Sequence, residues 1–202
     1  MNKKIFLVAM CGLAIAVLLN AQDLSPYASL KEPRITTLPA QKMLVVESKG
    51  DPSVASGPAF GLLYKTFFAI PGARMAAPRG RWLFGLNTPK SEWVGLYALP
   101  LPEQVTALPP GASGAKIDVW QYGEVAEILH IGGYDKETPT IEKLMKFIAA
   151  KGYVIAGPHE EQYLKGPESG PKTEEYQTII RYQIKKKVDG YAAAFPRRRV
   201  RR

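Results

Sequence analysis

The 202-residue sequence holds one cysteine and two histidines, and that scarcity removes several classes of protein. The cysteine, Cys11, lies inside an N-terminal apolar run, so the rest of the chain has no means of building a disulfide framework. His130 and His159 stand without metal-ligand spacing, and no metal site is expected from them. There is no Gly-rich phosphate loop, no nucleophile elbow and no HExxH helix. No cofactor is expected. Long apolar runs are also lacking: residues 5–19 make about fifteen, short of the roughly 20 that a spanning helix needs.

Positive charge is present but unevenly spread. The formal net charge is +9, yet Lys3 and Lys4 lie at the N-terminus, and Arg197, Arg198, Arg199, Arg201 and Arg202 crowd the other end. What remains between is close to neutral. A nearly neutral domain with a basic tail differs from a nucleic-acid-binding domain, which spreads its charge over one folded face. Residues 188–202 are expected to be a disordered tail whose five arginines contact polyanions non-specifically.

Residues 1–21 read as a signal peptide: Lys3 and Lys4, then the apolar run, then Leu19-Asn20-Ala21 ending in a small residue. Cys11 sits within the run and not at its end, so no lipoprotein attachment is expected. The protein is expected to be exported after cleavage near Ala21, periplasmic in a cell with two membranes or secreted. An N-terminally anchored form is the alternative.

Residues 22–34 contain two prolines and no period and are expected to be a mobile arm. Residues 35–187 are long enough for one domain with a sizeable core. KMLVVES (42–48) is a β-branched strand running into Gly50-Asp51-Pro52. Phe60, Leu63, Tyr64, Phe67 and Phe68 share a helix face within 58–70, which Pro71-Gly72 ends. Strands are predicted over 81–86 and 92–99, and residues 100–114, rich in proline, glycine and alanine, should cross between the two halves.

The second half repeats the first. A strand over 125–131 and the turn Gly132-Gly133-Tyr134 lead to a helix over 139–151, with Thr138 as N-cap and Pro139 in the first turn. Ile141, Leu144, Met145 and Ile148 form its apolar stripe. Extended runs follow at 153–155, 160–165 and 175–184, the first two separated by Gly157-Pro158. VVESKGDP (45–52) echoes EILHIGGY (127–134), and RWLF (81–84) echoes QYLK (162–165). The fold class expected is α+β: a tandem β-α-β-β repeat with a mostly antiparallel sheet and a ligand cleft between halves at about 35–100 and 115–187.

Strand alternation sorts the faces. Val94, Leu96 and Ala98 suit a helix-covered face, leaving Trp93, Gly95 and Tyr97 on the other. Leu164 suits the helix side, so Glu161 and Tyr163 are expected on the open side, with Trp82 at the matching position of the first half. Aromatics around a single carboxylate compose a small-molecule pocket. The same residues also fit a packed core or a solvated surface pair, and spacing alone does not choose.

HIGGYDK, the helix ETPTIEKLMKFIAAKGY and GPHEEQYLKGPE together resemble the GyrI-like small-molecule-binding family, the effector domain found in some AraC-type and MerR-type multidrug regulators. The resemblance covers about residues 32–186 and is strongest in the second half. It implies a pair of β-α-β-β units with a cleft between them. It also implies that Glu161, two residues before Tyr163-Leu164, lies at the cleft floor and meets cationic aromatic ligands. The expected function is therefore non-enzymatic binding of a small apolar cation, with Glu161 as countercharge and Trp82, Trp93, Tyr97 and Tyr163 as walls. Some members open strained electrophilic rings by hydrolysis. The alternative is therefore a cofactor-free hydrolase with Glu161 as general base. No helix-turn-helix segment precedes the domain, and no sequence-specific DNA binding is expected.

Cleavage at the expected point yields a mature chain beginning at Gln22, which mass spectrometry of the exported protein reads directly. Met1 retained in a membrane fraction would mark the anchored form instead.

Overall fold

The computed structural model of the chain describes residues 25–83, 88–167, 170 and 172–187. The expected signal peptide, the arginine tail and the last part of the strand expected over 81–86 lie outside these. The first half contributes β1 (Arg34–Leu38), β2 (Gln41–Lys49), α1 (Pro52–Phe68), β3 (Arg79–Trp82) and β4 (Val94–Pro100). The second contributes β5 (Ala115–Trp120), β6 (Gly123–Ile131), α2 (Thr138–Ala150), β7 (Tyr153–Lys165) and β8 (Gln177–Lys186). The predicted repeat is present as β2-α1-β3-β4 and β6-α2-β7-β8. Together with β1 and β5 its six strands form one open antiparallel sheet of eight in the order β1-β6-β8-β7-β3-β4-β2-β5. No helix among the described residues is long and apolar enough to cross a membrane.

Local chemistry moves some boundaries. α1 starts six residues before the expected point, because the Asp51 carboxylate accepts from the Ser53 N–H at 2.9 Å and Pro52 fits the first turn. Pro58 lies inside this helix on its exposed side. Glu137, not Thr138, takes the N-cap position of α2, and its side chain makes no capping hydrogen bond. β7 runs unbroken through Gly157-Pro158, which forms a bulge between Ile155 and His159. Gly157 is required there, since a Cβ would lie 2.3 Å from the Gln183 side-chain oxygen.

The two halves exchange their leading strands. β1 pairs with β6, and β5 pairs with β2, in one continuous register: Arg34 opposite Glu127, Leu38 opposite Gly123, Gln41 opposite Trp120, Val46 opposite Ala115. Residues 100–114 therefore do not cross to the second half as expected. They lead to β5 on the edge of the first half, and the crossing is made at Gln121-Tyr122. Leu101 and Val105 of this connector are buried beside α1.

Both helices cover the same face. A row of directly paired residues runs Val46–Tyr97–Gly80–Glu161–Ile180–Ile128 across six strands. At one end Val46 and Tyr97 pack with Ala59, Leu63 and Phe67 of α1, and at the other Ile180 and Ile128 pack with Leu144 and Ile148 of α2. Residues opposite each other on a ladder point to the same side, so Tyr97 and Glu161 face the helices. This reverses the expected assignment. Leu96, Ala98 and Leu164 lie on the far face, with Met43, Val45 and Trp120 in one cluster and Leu30, Leu129 and Ile179 in another.

Leu30 explains the reversal. The segment expected to be a mobile arm holds a 3-10 helix, Ser25–Lys31, whose Leu30 is 1% exposed against β6, β7 and β8. The far face is thus filled by the chain's own start and by the β1–β2 and β5–β6 ribbon. A second far-face row alternates charge: Arg34–Glu127–Arg181–Glu160–Arg81. Its ion pairs are 2.7, 2.7, 2.8 and 2.7 Å long in that order.

Leu30→Ala should destabilise the fold by about 2–4 kcal/mol, the usual cost of emptying a leucine site in a packed core. Urea unfolding measures it. A loss below about 0.5 kcal/mol would fit a free arm instead.

Candidate functional site

Glu161 stands where the two halves meet. It is 8% exposed, and its row neighbour on β3 is Gly80. That glycine leaves space: a Cβ there would lie 2.6 Å from the Tyr163 hydroxyl. The Tyr163 O–H can therefore lie over β3 and donate to Glu161 Oε2 at 2.8 Å. The other oxygen, Oε1, is 2.9 Å from His159 Nε2, and His159 Nδ1 is 2.8 Å from the Tyr182 hydroxyl. His159, Glu161 and Tyr163 come from alternate positions of β7, which is why one strand aims all three at one point.

A second carboxyl completes the group. Glu137 is 5% exposed and in hydrogen-bond contact with Glu161. Burial, then the Glu161 charge, then that hydrogen bond push the Glu137 carboxyl up to about 9. Near neutral pH the pair therefore holds a proton. Its Oε1 has no hydrogen-bond partner. The expectation of a single carboxylate is thus corrected to two. Glu137 was legible only as an oddity, a glutamate at a helix start where serine, threonine, aspartate or asparagine is preferred. Its position beside Glu161 needs the packing of α2 over β7.

Burial and the Glu161 charge raise Tyr97 to about 12 and push Tyr163 well above its ordinary value. Tyr182 is raised to about 12 by burial and then by Glu161 and Glu137. All three remain neutral donors at physiological pH.

The five residues expected at the site come together. Trp93 meets Trp82 at 5.9 Å between ring centroids, and Trp82 meets Tyr97 at 5.8 Å. Phe60 of α1 lies 4.7 Å from Tyr97 and 6.1 Å from Tyr163, and Tyr134 lies 5.7 Å from Tyr163. A continuous chain of rings thus runs from Trp93 to Tyr134 and reaches Glu161 through Tyr163, with Trp82, Trp93, Phe60 and Tyr163 half-buried and Tyr134 40% exposed. Phe60, Tyr134 and Tyr182 were missed as site residues because they lie on other elements than Glu161, whereas His159 shares β7 with it and strand alternation could have found it. His130 stays structural, held by the Thr140 hydroxyl at 2.9 Å and the Gly133 carbonyl at 3.2 Å.

Residues 99–185 match the family model of the GyrI-like small molecule binding domain. Over that stretch the chain is similar to a GyrI-like domain. The matched stretch includes β5 to β8, α2 and all five polar residues of the site. Solved structures share the fold over both halves. A hydrolase from Listeria innocua aligns with a TM-score of 0.66 at 20% identity, covering 79% of this chain and 95% of that one. An uncharacterized conserved protein from Listeria innocua aligns with 0.64 at 21%, covering 81% and 97%. The C-terminal domain of EcmrR aligns with 0.64 at 15%, covering 77% and 98%. No protein of curated function matches the chain.

The raised Glu137 carboxyl sets a pH dependence. The folded chain binds this proton more tightly than the unfolded one, whose carboxyl titrates near 4.5. The stabilising contribution is therefore fully present below about 4.5 and is lost as pH rises towards about 9. With chelator present, Glu137→Gln should lose less stability than the wild type in urea unfolding as pH rises through this window. Identical slopes would place Glu137 outside the carboxyl pair.

Proposed function

We propose that this chain is exported and, as a GyrI-like small-molecule binder, holds a small apolar cation without transforming it, Glu161 serving as countercharge. The observation that carries this reading is the position of Glu161: a carboxylate 8% exposed, held by Tyr163 on a chain of rings that continues through Phe60, Tyr97 and Trp82. A buried carboxylate is costly unless compensated. A planar organic cation compensates it twice, by charge and by stacking on π faces. Trp82, Trp93, Tyr97 and Tyr163 supply those faces, as the sequence led us to expect, and Phe60 and Tyr134 extend them.

Cationic dyes titrated against the wild type and Glu161→Gln, in chelator and followed by tryptophan fluorescence, test it. The substitution should raise Kd by roughly 10- to 100-fold, the loss expected for a contact to a charged group. Equal affinity of the two proteins, or of a neutral analogue of the dye, would overturn the reading.

A second reading rests on the carboxyl pair. Glu137 holds a proton near neutral pH and Glu161 is its neighbour, an arrangement of general acid and general base. It suits cofactor-free hydrolysis of a strained electrophilic ring. Turnover of such a substrate by the wild type, lost in Glu161→Gln with binding retained, would replace the first reading with this one.

A further inference from the structure

We propose that Glu137, His159 and Glu161 form a site for one divalent transition-metal ion of the Zn²⁺ or Co²⁺ type. The site shares Glu161 with the proposed organic-cation site but does not depend on it. The spacing of the two histidines argued against a metal, and the fold changes that by bringing in ligands from α2 and β7. One donor atom from each of the three side chains lies within 4.8 Å of the others. Donors around a single such ion stand about 3–3.5 Å apart at metal–ligand distances of about 2.0–2.2 Å. His159 Nε2 and Glu161 Oε1 already lie 2.9 Å apart. Rotation of the Glu137 carboxyl closes the remaining gap.

Two observations point to an occupant. Glu137 is 95% buried on its 5% exposure, and apart from the proton the carboxyl pair shares, its Oε1 has no hydrogen-bond partner. A buried oxygen in that state is costly and calls for a partner. The second is how the other two ligands are held. Tyr182 engages His159 Nδ1 and Tyr163 engages Glu161 Oε2, each at 2.8 Å. When His159 Nδ1–H donates to Tyr182, Nε2 presents its lone pair to Glu161 Oε1. In the other tautomer Nε2–H donates to Oε1 at the same distance, so the ion would take the place of that proton. Tyrosines on the outer atoms of a histidine and a carboxylate are the kind of support that orients metal ligands. One nitrogen and two oxygens, with room left for solvent, suit a borderline ion that tolerates N and O donors.

The test uses mature protein stripped with chelator and dialysed free of it. Zn²⁺ is titrated by calorimetry, and Co²⁺ by the visible d–d bands that report its coordination. One ion per chain should bind. Glu137→Gln and His159→Gln should each raise Kd at least about tenfold, and Tyr182→Phe, which touches no ion, should raise it about tenfold as an outer support. A cooperative unfolding transition followed by circular dichroism establishes that each variant is folded. Should a variant fail to fold, Tyr182→Phe and the Co²⁺ spectrum of the wild type carry the test. Absence of saturable binding, or binding indifferent to all three substitutions, overturns the site. No organic cation enters this titration, so a failed dye experiment leaves its result standing.

Discussion

The rest of the molecule depends on a row of alternating charges on the far face of the sheet, Arg34–Glu127–Arg181–Glu160–Arg81. Each member sits on a different strand, and all but Arg34 are buried. Breaking one buried pair by removing a partner costs about 3–5 kcal/mol, because a charge is left unmatched. That penalty is what fixes register. A slip of β7 by one residue would take Glu160 out of the row and turn Glu161 away from the helices. The ladder on one face is therefore what holds the carboxylate in place on the other.

Tyr122 ties this row to the apolar packing around it. Its hydroxyl donates to Glu160 Oε1 at 3.1 Å and accepts from Arg79, and the Arg81 guanidinium lies 4.0 Å over the Trp120 ring and 4.9 Å over Tyr122. These aromatics come from the short crossing between β5 and β6, where the exchanged strands turn from one half to the other. The same crossing that knits the halves together thus also lines the buried charges. A far face so filled leaves the helix-bearing face as the place where side chains meet solvent between the halves.

The repeat makes the frame symmetric and the contents unlike. The first half brings aromatic rings, Phe60, Trp82, Trp93 and Tyr97. The second brings the polar group of Glu137, His159, Glu161, Tyr163 and Tyr182, together with the ring of Tyr134. At the shared centre Gly80 faces Glu161, so one half gives up its side chain where the other places a charge. The GyrI-like match over residues 99–185 covers the half that carries the ionisable groups.

Sequence by itself determined the β-α-β-β repeat and the helix over α2, and it grouped Trp82, Trp93, Tyr97 and Tyr163 with Glu161, residues that the fold brings near one another. These follow from periodicity, turn residues and a recognisable motif, all local properties. It did not determine which sheet face the helices cover. Leu96 and Ala98 are as apolar as a helix-covered face should be, but they pack in one cluster with Trp120, Tyr122 and Val125 from the crossing between the halves, and alternation cannot tell one apolar cover from another. Nor did it reveal that Ser25–Lys31 plugs the far face, or that Glu137 faces Glu161. Those contacts join residues far apart in the chain, and only packing that buries Leu30 and docks α2 over β7 brings them within reach.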